Sequence, residues 1–472
     1  MATLADARRA VSNGRWQQIL DWGWDEAFLL QSHHILNAYI AAAYELSQID
    51  SLNRAANIVF LERWDRTHRY SFARAFVAAE RCDLAWKTIQ ANPDLSNDPA
   101  FVKQARRLIA YSQDENLRAE IKAAIVVAMK GGSEIRPTSS EISFASSTSS
   151  PTVIGKAVAS ISPRTAPRHL AAFEIAMEST RRGLSSPKRP ALSEYENVFV
   201  DRHGQIWLED GAIIKTTGKE IFQARKDDVQ NFETAVYGIK ETRGIYHWLV
   251  DRVSNFSWML QDGCDAFPIL LSDRASPFEA QTLSLVDLGW QSYAVGRAAF
   301  VKRLIIPRVG FGGLMYWEQI SSIFDRLKAY AEEMAETHSV TPSERIYISR
   351  SDAKRRPLSN EKEIEARLVS DDYEIVSFTG MPLWQQFFMA SSAREIVAPH
   401  GAGLSHLVMC NPGTKVTEII PVSDGTHKLR FNYARLSLVR GHDYRAWLEP
   451  QIGEQDSWSV DTDAFFEFLH AR

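Results

Sequence analysis

Cysteine is scarce in this chain: three among 472 residues, Cys82, Cys264 and Cys410, far apart and odd in number. They make neither a metal-ligand spacing nor a disulfide framework, so a reducing compartment is expected. Long apolar runs are missing too. Residues 123–129 form the best one and stop at Lys130, well short of the roughly 20 residues a membrane-spanning helix needs. Asp6, Arg8, Arg9 and Arg15 interrupt the first 20 residues, so no signal peptide is read there. Charge of one sign is also lacking. The formal balance of -4 gives no reason to expect nucleic-acid binding. No Gly-x-Ser-x-Gly occurs, which removes the nucleophile elbow of serine hydrolases.

What remains is a globular composition, with 45% hydrophobic and 24% charged residues, in a chain long enough for two or three domains. Residues 1–130 are almost free of proline and rich in Ala, Leu, Arg and Glu, with apolar side chains at helical spacing. Segments 45–58, 79–92 and 111–124 each read as a helix end, a polar turn and a new helix. Their starts lie 34 and 32 residues apart, near the period of tetratricopeptide-like helical hairpins. This part is read as an all-α bundle or degenerate repeat, a docking unit with no catalytic constellation. Residues 131–168 are Ser/Thr/Pro-rich and predict a flexible linker. Beyond it the pattern alternates. A hairpin is expected at 197–214, helices at 245–260, 279–288 and 316–336, and strands at 267–271, 292–295 and 304–307. Such alternation argues for α/β architecture with parallel sheets. Residues 169–315 and 316–472 are read as its two halves.

Two segments in the second half carry chemistry. Residues 393–421 run strand, glycine-broken loop, short helix at 404–410, strand at 415–420. The first amides of a helix lack partners, so such a loop is an anion site. Gly401 and Gly403 are expected to let a diphosphate approach the main chain. Upstream, a strand opening at Arg345 leads into a loop with Arg350, Lys354, Arg355 and Arg356. Arginine holds phosphate oxygens well through its planar fork. Asn360 with Glu363 reads as a capping box opening the next helix.

Taken together these segments resemble the catalytic domain of family 61 glycosyltransferases, which includes plant xylosyl- and arabinosyltransferases and animal O-linked GlcNAc transferases. The resemblance is carried by Ser349-Arg350, Arg355-Arg356, Asn360-Glu361, Gln386, the run His400, Gly401, Ala402, Gly403, Leu404, then Pro412-Gly413 and Glu418. Upstream, Tyr246-His247-Trp248-Leu249 with Asp251 is similar to a motif at a helix start in that family. The likeness spans roughly 197–450. Gln385 stands where the family usually has Glu, and Ser405-His406 replaces a common Thr-Asn.

The resemblance implies a GT-B-like fold of two Rossmann-like halves, and an inverting transfer of sugar from a nucleotide sugar, taken as a UDP-sugar, to a hydroxyl. The acceptor is a glycan, a lipid-linked glycan or a protein, with polysaccharide biosynthesis first by analogy. Arg350, Arg355, Arg356 and the 401–404 amides are expected to meet the diphosphate, with His400 at the donor. Glu418 is placed either at the ribose hydroxyls or against Lys415 or solvent. His247 is the favoured base, oriented by Asp251 one helical turn on, with Asp251 itself the runner-up. No obligatory metal or other cofactor is expected. The one Asp-x-Asp, Asp461-Thr462-Asp463, reads as a helix N-cap. Eukaryotic relatives are usually membrane-anchored. Without a visible anchor this chain is read as a bacterial cytoplasmic enzyme, free or peripheral to the inner membrane face, with a protein partner for residues 1–130. The competing reading is a non-catalytic helical-repeat scaffold with a degenerate nucleotide-sugar domain.

Overall fold

Short polar side chains punctuate the N-terminal helices. Asp25, Ser32, Asp65 and Asp114 each accept a hydrogen bond from a first-turn amide of the helix that follows: Glu26–Leu30, His33–Glu45, Arg66–Ala78 and Glu115–Ala128. In the computed structural model, residues 2–471 are described except 13, 63, 96–97, 99, 139–152, 187–189, 241–243, 262, 287–288, 312–317, 354–355, 423–430 and 452–456. Each of the three repeat-like segments holds a helix end, a turn and a new helix, at Glu45/Ile49, Ala78/Cys82 and Tyr111/Glu115. Ser47 and Glu80 take φ of 56° and 58° in the first two turns, the left-handed step that redirects the chain. Leu36, Ile40, Val59, Phe72, Phe76 and Ile89 belong to one buried cluster.

The strands are β1 (Lys156–Ile161), β2 (Ala191–Val200), β3 (Ile206–Leu208), β4 (Ile213–Lys215), β5 (Gln230–Tyr237), β6 (Ile269–Ser272) and β7 (Ser292–Val295). There follow β8 (Ala299–Arg308), β9 (Arg345–Ile348), β10 (Glu374–Val376), β11 (Glu395–Pro399), β12 (Lys415–Val422) and β13 (Asp443–Pro450).

The chain divides into two compact units, one built on Met1–Arg136 and Val198–Val229, the other on Pro137–Asn197, Gln230–Ser423 and Leu429–Arg472. The hairpin expected at 197–214 forms, with the end of β2 antiparallel to β3 and β3 antiparallel to β4. It groups with the helices, not with the catalytic half to which its place in the sequence had assigned it. The Ile213 amide donates to Met129 O at 3.0 Å. A Cβ on Gly132 would lie 2.4 Å from the Ile213 backbone, so only glycine permits this approach.

In the larger unit one sheet has the order β1-β13-β12-β11-β9-β10, every pair parallel. Its two faces bury different sets. Ile346, Ile396, Val416 and Tyr444 join one cluster with Ile323, Phe324 and Leu327 of helix Ser322–Thr337. Tyr347, Val397, Ile419 and Trp447 join another with Ile364, Leu368, Phe465 and Phe466. Helices on both faces are what a parallel sheet requires. A second sheet runs β2-β8-β5-β6-β7, with β8, β5, β6 and β7 mutually parallel. The protein is thus α/β with an N-terminal helical region and parallel and mixed sheets. No described helix is long and apolar enough to cross a membrane.

Several expectations shift in detail. Of the 131–168 linker, residues 139–152 lie outside the described residues, while Lys156–Ile161 is the edge strand β1, in register from Lys156 opposite Asp443 to Ile161 opposite Leu448. Its short, small-residue sequence hid it. The helix expected at 245–260 splits into Ile245–Leu249 and a 3-10 stretch, Val253–Leu260. Ser254 Oγ and Asn255 Nδ2 donate back to Val250 O and Asp251 O, local bonds that compete with regular helix. The long helix begins at Ser322 after a 3-10 turn, Glu318–Ser321; Tyr316 and Trp317 lie outside the described residues. Residues Ala402–Met409 are likewise 3-10.

Candidate active site

The carboxyl ends of β9 and β11, with the residues just after β10, surround a cavity of about 300 Å3. Ile348, Ser349 and Arg350 supply one wall; Phe378, Thr379 and Gln386 another; Pro399, Ala402, Gly403, Leu404 and His406 a third, with Ile245 also on the lining. Parallel sheets place their ligands at this end of the strands.

Arg350 is tied into the loop it faces. Its guanidinium donates to His400 O. A Cβ on Gly401 would meet its Cδ and Nε at 2.6 Å, and one on Gly403 would meet Ile348 Cγ2 at 2.6 Å. The space these glycines leave is therefore filled by protein side chains, not kept clear for a diphosphate as the sequence suggested. What the loop offers is its amides. Those of Gly401, Ala402 and Gly403 donate to no acceptor among the described residues. Burial lowers the Arg350 pKa, and the charge of Arg356 lowers it further.

Glu361 fixes the turn after β9, accepting from the Arg350 amide at 2.6 Å and Tyr347 OH at 3.1 Å. Burial pushes its pKa up. Gln386 donates to Phe378 O and Met381 O at 3.2 and 2.8 Å, shaping the wall it lines. Arg356 has a left-handed φ of 51°, and its carbonyl accepts from Trp458 Nε1 at 3.1 Å; it is not on the cavity lining. Arg355, with Lys354, lies outside the described residues.

His400 and His247 are held in the same way. His400 Nδ1 is 2.5 Å from Glu418 Oε1, and the other oxygen of that buried carboxylate accepts from Tyr444 OH. Both Glu418 oxygens are thus engaged by protein, so Glu418 neither faces ribose nor relies on Lys415; it orients His400. His247 Nδ1 is 2.6 Å from Asp251 Oδ2, each side chain about one-third exposed. An imidazole that donates Nδ1–H to a carboxylate presents Nε2 as an acceptor, the form a general base needs. Rings connect the two histidines. His400 lies 5.5 Å from Tyr433, Tyr433 lies 5.4 Å from Tyr246, and Tyr246 lies 5.4 Å from His247. Burial raises the pKa of both tyrosines, leaving them neutral.

The motif residue Asn360 does not cap its helix. Its Nδ2 donates to Val460 O and Thr462 Oγ1, and its Oδ1 accepts from Val460 N. It clasps the C-terminal segment, a partner 100 residues away in sequence that local pattern cannot reveal. Asp461 caps the last helix through Ala464 N, and Asp463 pairs with Arg367. Among the described residues no three His, Cys, Asp or Glu side chains converge on one metal position. Tyr433, Tyr444 and Phe378 were not singled out from the sequence. Each is an isolated aromatic, and only the fold brings it to the site.

Arg350, Ala402 and Gly403 line the strand-end cavity, while the His400–Glu418 and His247–Asp251 pairs are not on its lining; an arginine and unpartnered amides at the strand ends of an α/β sheet suit a group-transfer enzyme. The family model described as Glycosyltransferase 61 matches residues 245–417, which contain His247, Asp251, Arg350, His400 and the whole cavity lining. That stretch, 173 of the 472 residues, is similar to family 61 and marks the chain as a glycosyltransferase. Glycosyl transfer of this kind implies a nucleotide-sugar donor and an acceptor. Among curated proteins the chain has no match.

Proposed function

We propose that the protein transfers a sugar from a uridine-diphosphate donor to an acceptor hydroxyl with inversion at the anomeric carbon, on a GT-B-like fold. The observation that carries this reading is the cavity between the Arg350 turn and the 400–404 loop, with two carboxylate-held imidazoles joined through Tyr246 and Tyr433. Arg350 and the amides of Gly401, Ala402 and Gly403 stabilise the diphosphate as charge grows on it. Arg356, whose charge already acts on Arg350, adds positive field. His400, oriented by Glu418, hydrogen-bonds the donor. His247 Nε2 takes the acceptor proton while Asp251 stabilises the imidazolium. The acceptor oxygen then bonds to the anomeric carbon. The bond from that carbon to the phosphate oxygen breaks, and its electron pair leaves with the nucleoside diphosphate. Because basic groups and amides meet that charge, activity is expected to survive chelation of divalent ions. The acceptor class is a hydroxylated glycan, and residues 1–130 serve as a protein-docking unit.

Calorimetric titration of the full chain with UDP, GDP and CMP tests the donor site. One diphosphate should bind selectively, and Arg350→Ala and His400→Ala should each weaken it at least tenfold without loss of folding. Donor hydrolysis should fall about 100-fold or more in His247→Ala. If the folded wild type binds no nucleotide, the reading fails.

A further inference from the structure

His406 sits at the cavity in a way the proposed chemistry does not use. It lies in the 3-10 segment Ala402–Met409 and lines the cavity, yet the residue is only 2% exposed. Nδ1 is 2.9 Å from Gly403 O. A carbonyl only accepts, so Nδ1 carries the hydrogen. Burial holds the ring pKa down at about 4, so at neutral pH there is no second hydrogen. Nε2 is then a bare lone pair, and it has no partner among the described residues. The rings of Phe378 at 4.6 Å and Phe387 at 5.8 Å flank the imidazole and fix its orientation. A buried acceptor left unpaired is costly, so the site favours a ligand that brings a donor.

This inference rests on the cavity being the donor-nucleotide site. We propose that His406 reads the nucleobase: Nε2 accepts a hydrogen bond from a lactam ring N–H, as in uracil or guanine, and disfavours cytosine and adenine. In those two bases the corresponding ring nitrogen carries a lone pair, which would face the lone pair of Nε2. A site built to hydrogen-bond a ring N–H discriminates strongly against a base that lacks it, because its own buried group then stays unpaired. Phe378, Ile348 and Leu404 add apolar surface on which a base can pack.

The test is calorimetry on the full chain with UDP, GDP, CDP and ADP, together with 3-methyl-UDP and 1-methyl-GDP, in which the ring N–H is blocked. Wild type should bind UDP or GDP at least tenfold more tightly than CDP or ADP, and methylation of the preferred base should lose about tenfold. His406→Phe keeps a ring but has no acceptor. It should bind the preferred nucleotide about tenfold more weakly and no longer distinguish its methylated form, while His406→Gln should retain part of the preference. Nitrogen NMR of wild type should show Nε2 unprotonated near neutral pH and shifted on binding. Equal wild-type affinity for the methylated and parent nucleotides, or for CDP and UDP, overturns the assignment even if His406→Phe fails to fold. Binding of no nucleotide at all removes the donor-site reading itself, and this inference with it.

Discussion

The methyl group that Gly401→Ala would add falls on Arg350, 2.6 Å from both Cδ and Nε. Arg350 can yield only by leaving His400 O, which it holds through Nη1. The substitution should therefore cost about 1–3 kcal/mol of stability and, if Arg350 meets phosphate, weaken UDP binding about tenfold. Chemical denaturation with calorimetry would check both, and unchanged affinity would separate the glycine from the ligand. Two buried histidines predict a pH dependence. Burial lowers His406 to about 4 and His442 to about 3, from an ordinary 6.5. Between those values the unfolded chain binds protons that the folded one refuses, so stability is complete above 6.5 and falls as pH drops through the window. The melting temperature should drop on going from about pH 7 to about pH 5, and less steeply in His442→Gln. A flat wild-type profile would contradict the burial of both rings.

Strands β6, β7, β9, β11 and β12 were legible in the sequence, because short β-branched runs bounded by Gly, Pro or polar turns have few other readings. So were the loop at His400 and the pairing of His247 with Asp251, which needs only helical spacing. What stayed hidden depends on distant partners. Glu418 looked like a ligand group until β12 was placed beside β13, where Tyr444 occupies its second oxygen. Asn360 looked like a cap until the C-terminal segment came back across it. Asn360→Ala would strand the amide and carbonyl of Val460, and should lower stability by about 1–3 kcal/mol. Limited proteolysis of the last helix, Thr462–His470, should quicken in that variant. If cleavage there is unchanged, the clasp is not what holds the segment.

The two compact units are not successive stretches of chain. Val198–Val229 groups with the helical part, while Lys156–Ile161 belongs to the sheet of the transferase part. A chain beginning at residue 169 would lack both the helical core under Ile213 and the strand that covers the edge of β13. An uncovered strand edge invites association. Such a chain should be largely insoluble, whereas one beginning at residue 137, which keeps β1, should be less so. Comparing soluble fractions and sedimentation of the two checks this; equal behaviour would mean β1 contributes little.

The pairing of β1 with β13 also sets a clock on biosynthesis. Some 280 residues separate the two strands, a delay of roughly 15–55 s at ordinary translation rates. During that time β1 lacks its β13 neighbour, and this sheet can close only after β13 has emerged. Protease resistance of nascent chains at Lys156–Ile161 should accordingly appear late, after β13 has emerged. Resistance acquired before that point would mean that β1 first shelters elsewhere and changes partners once β13 appears.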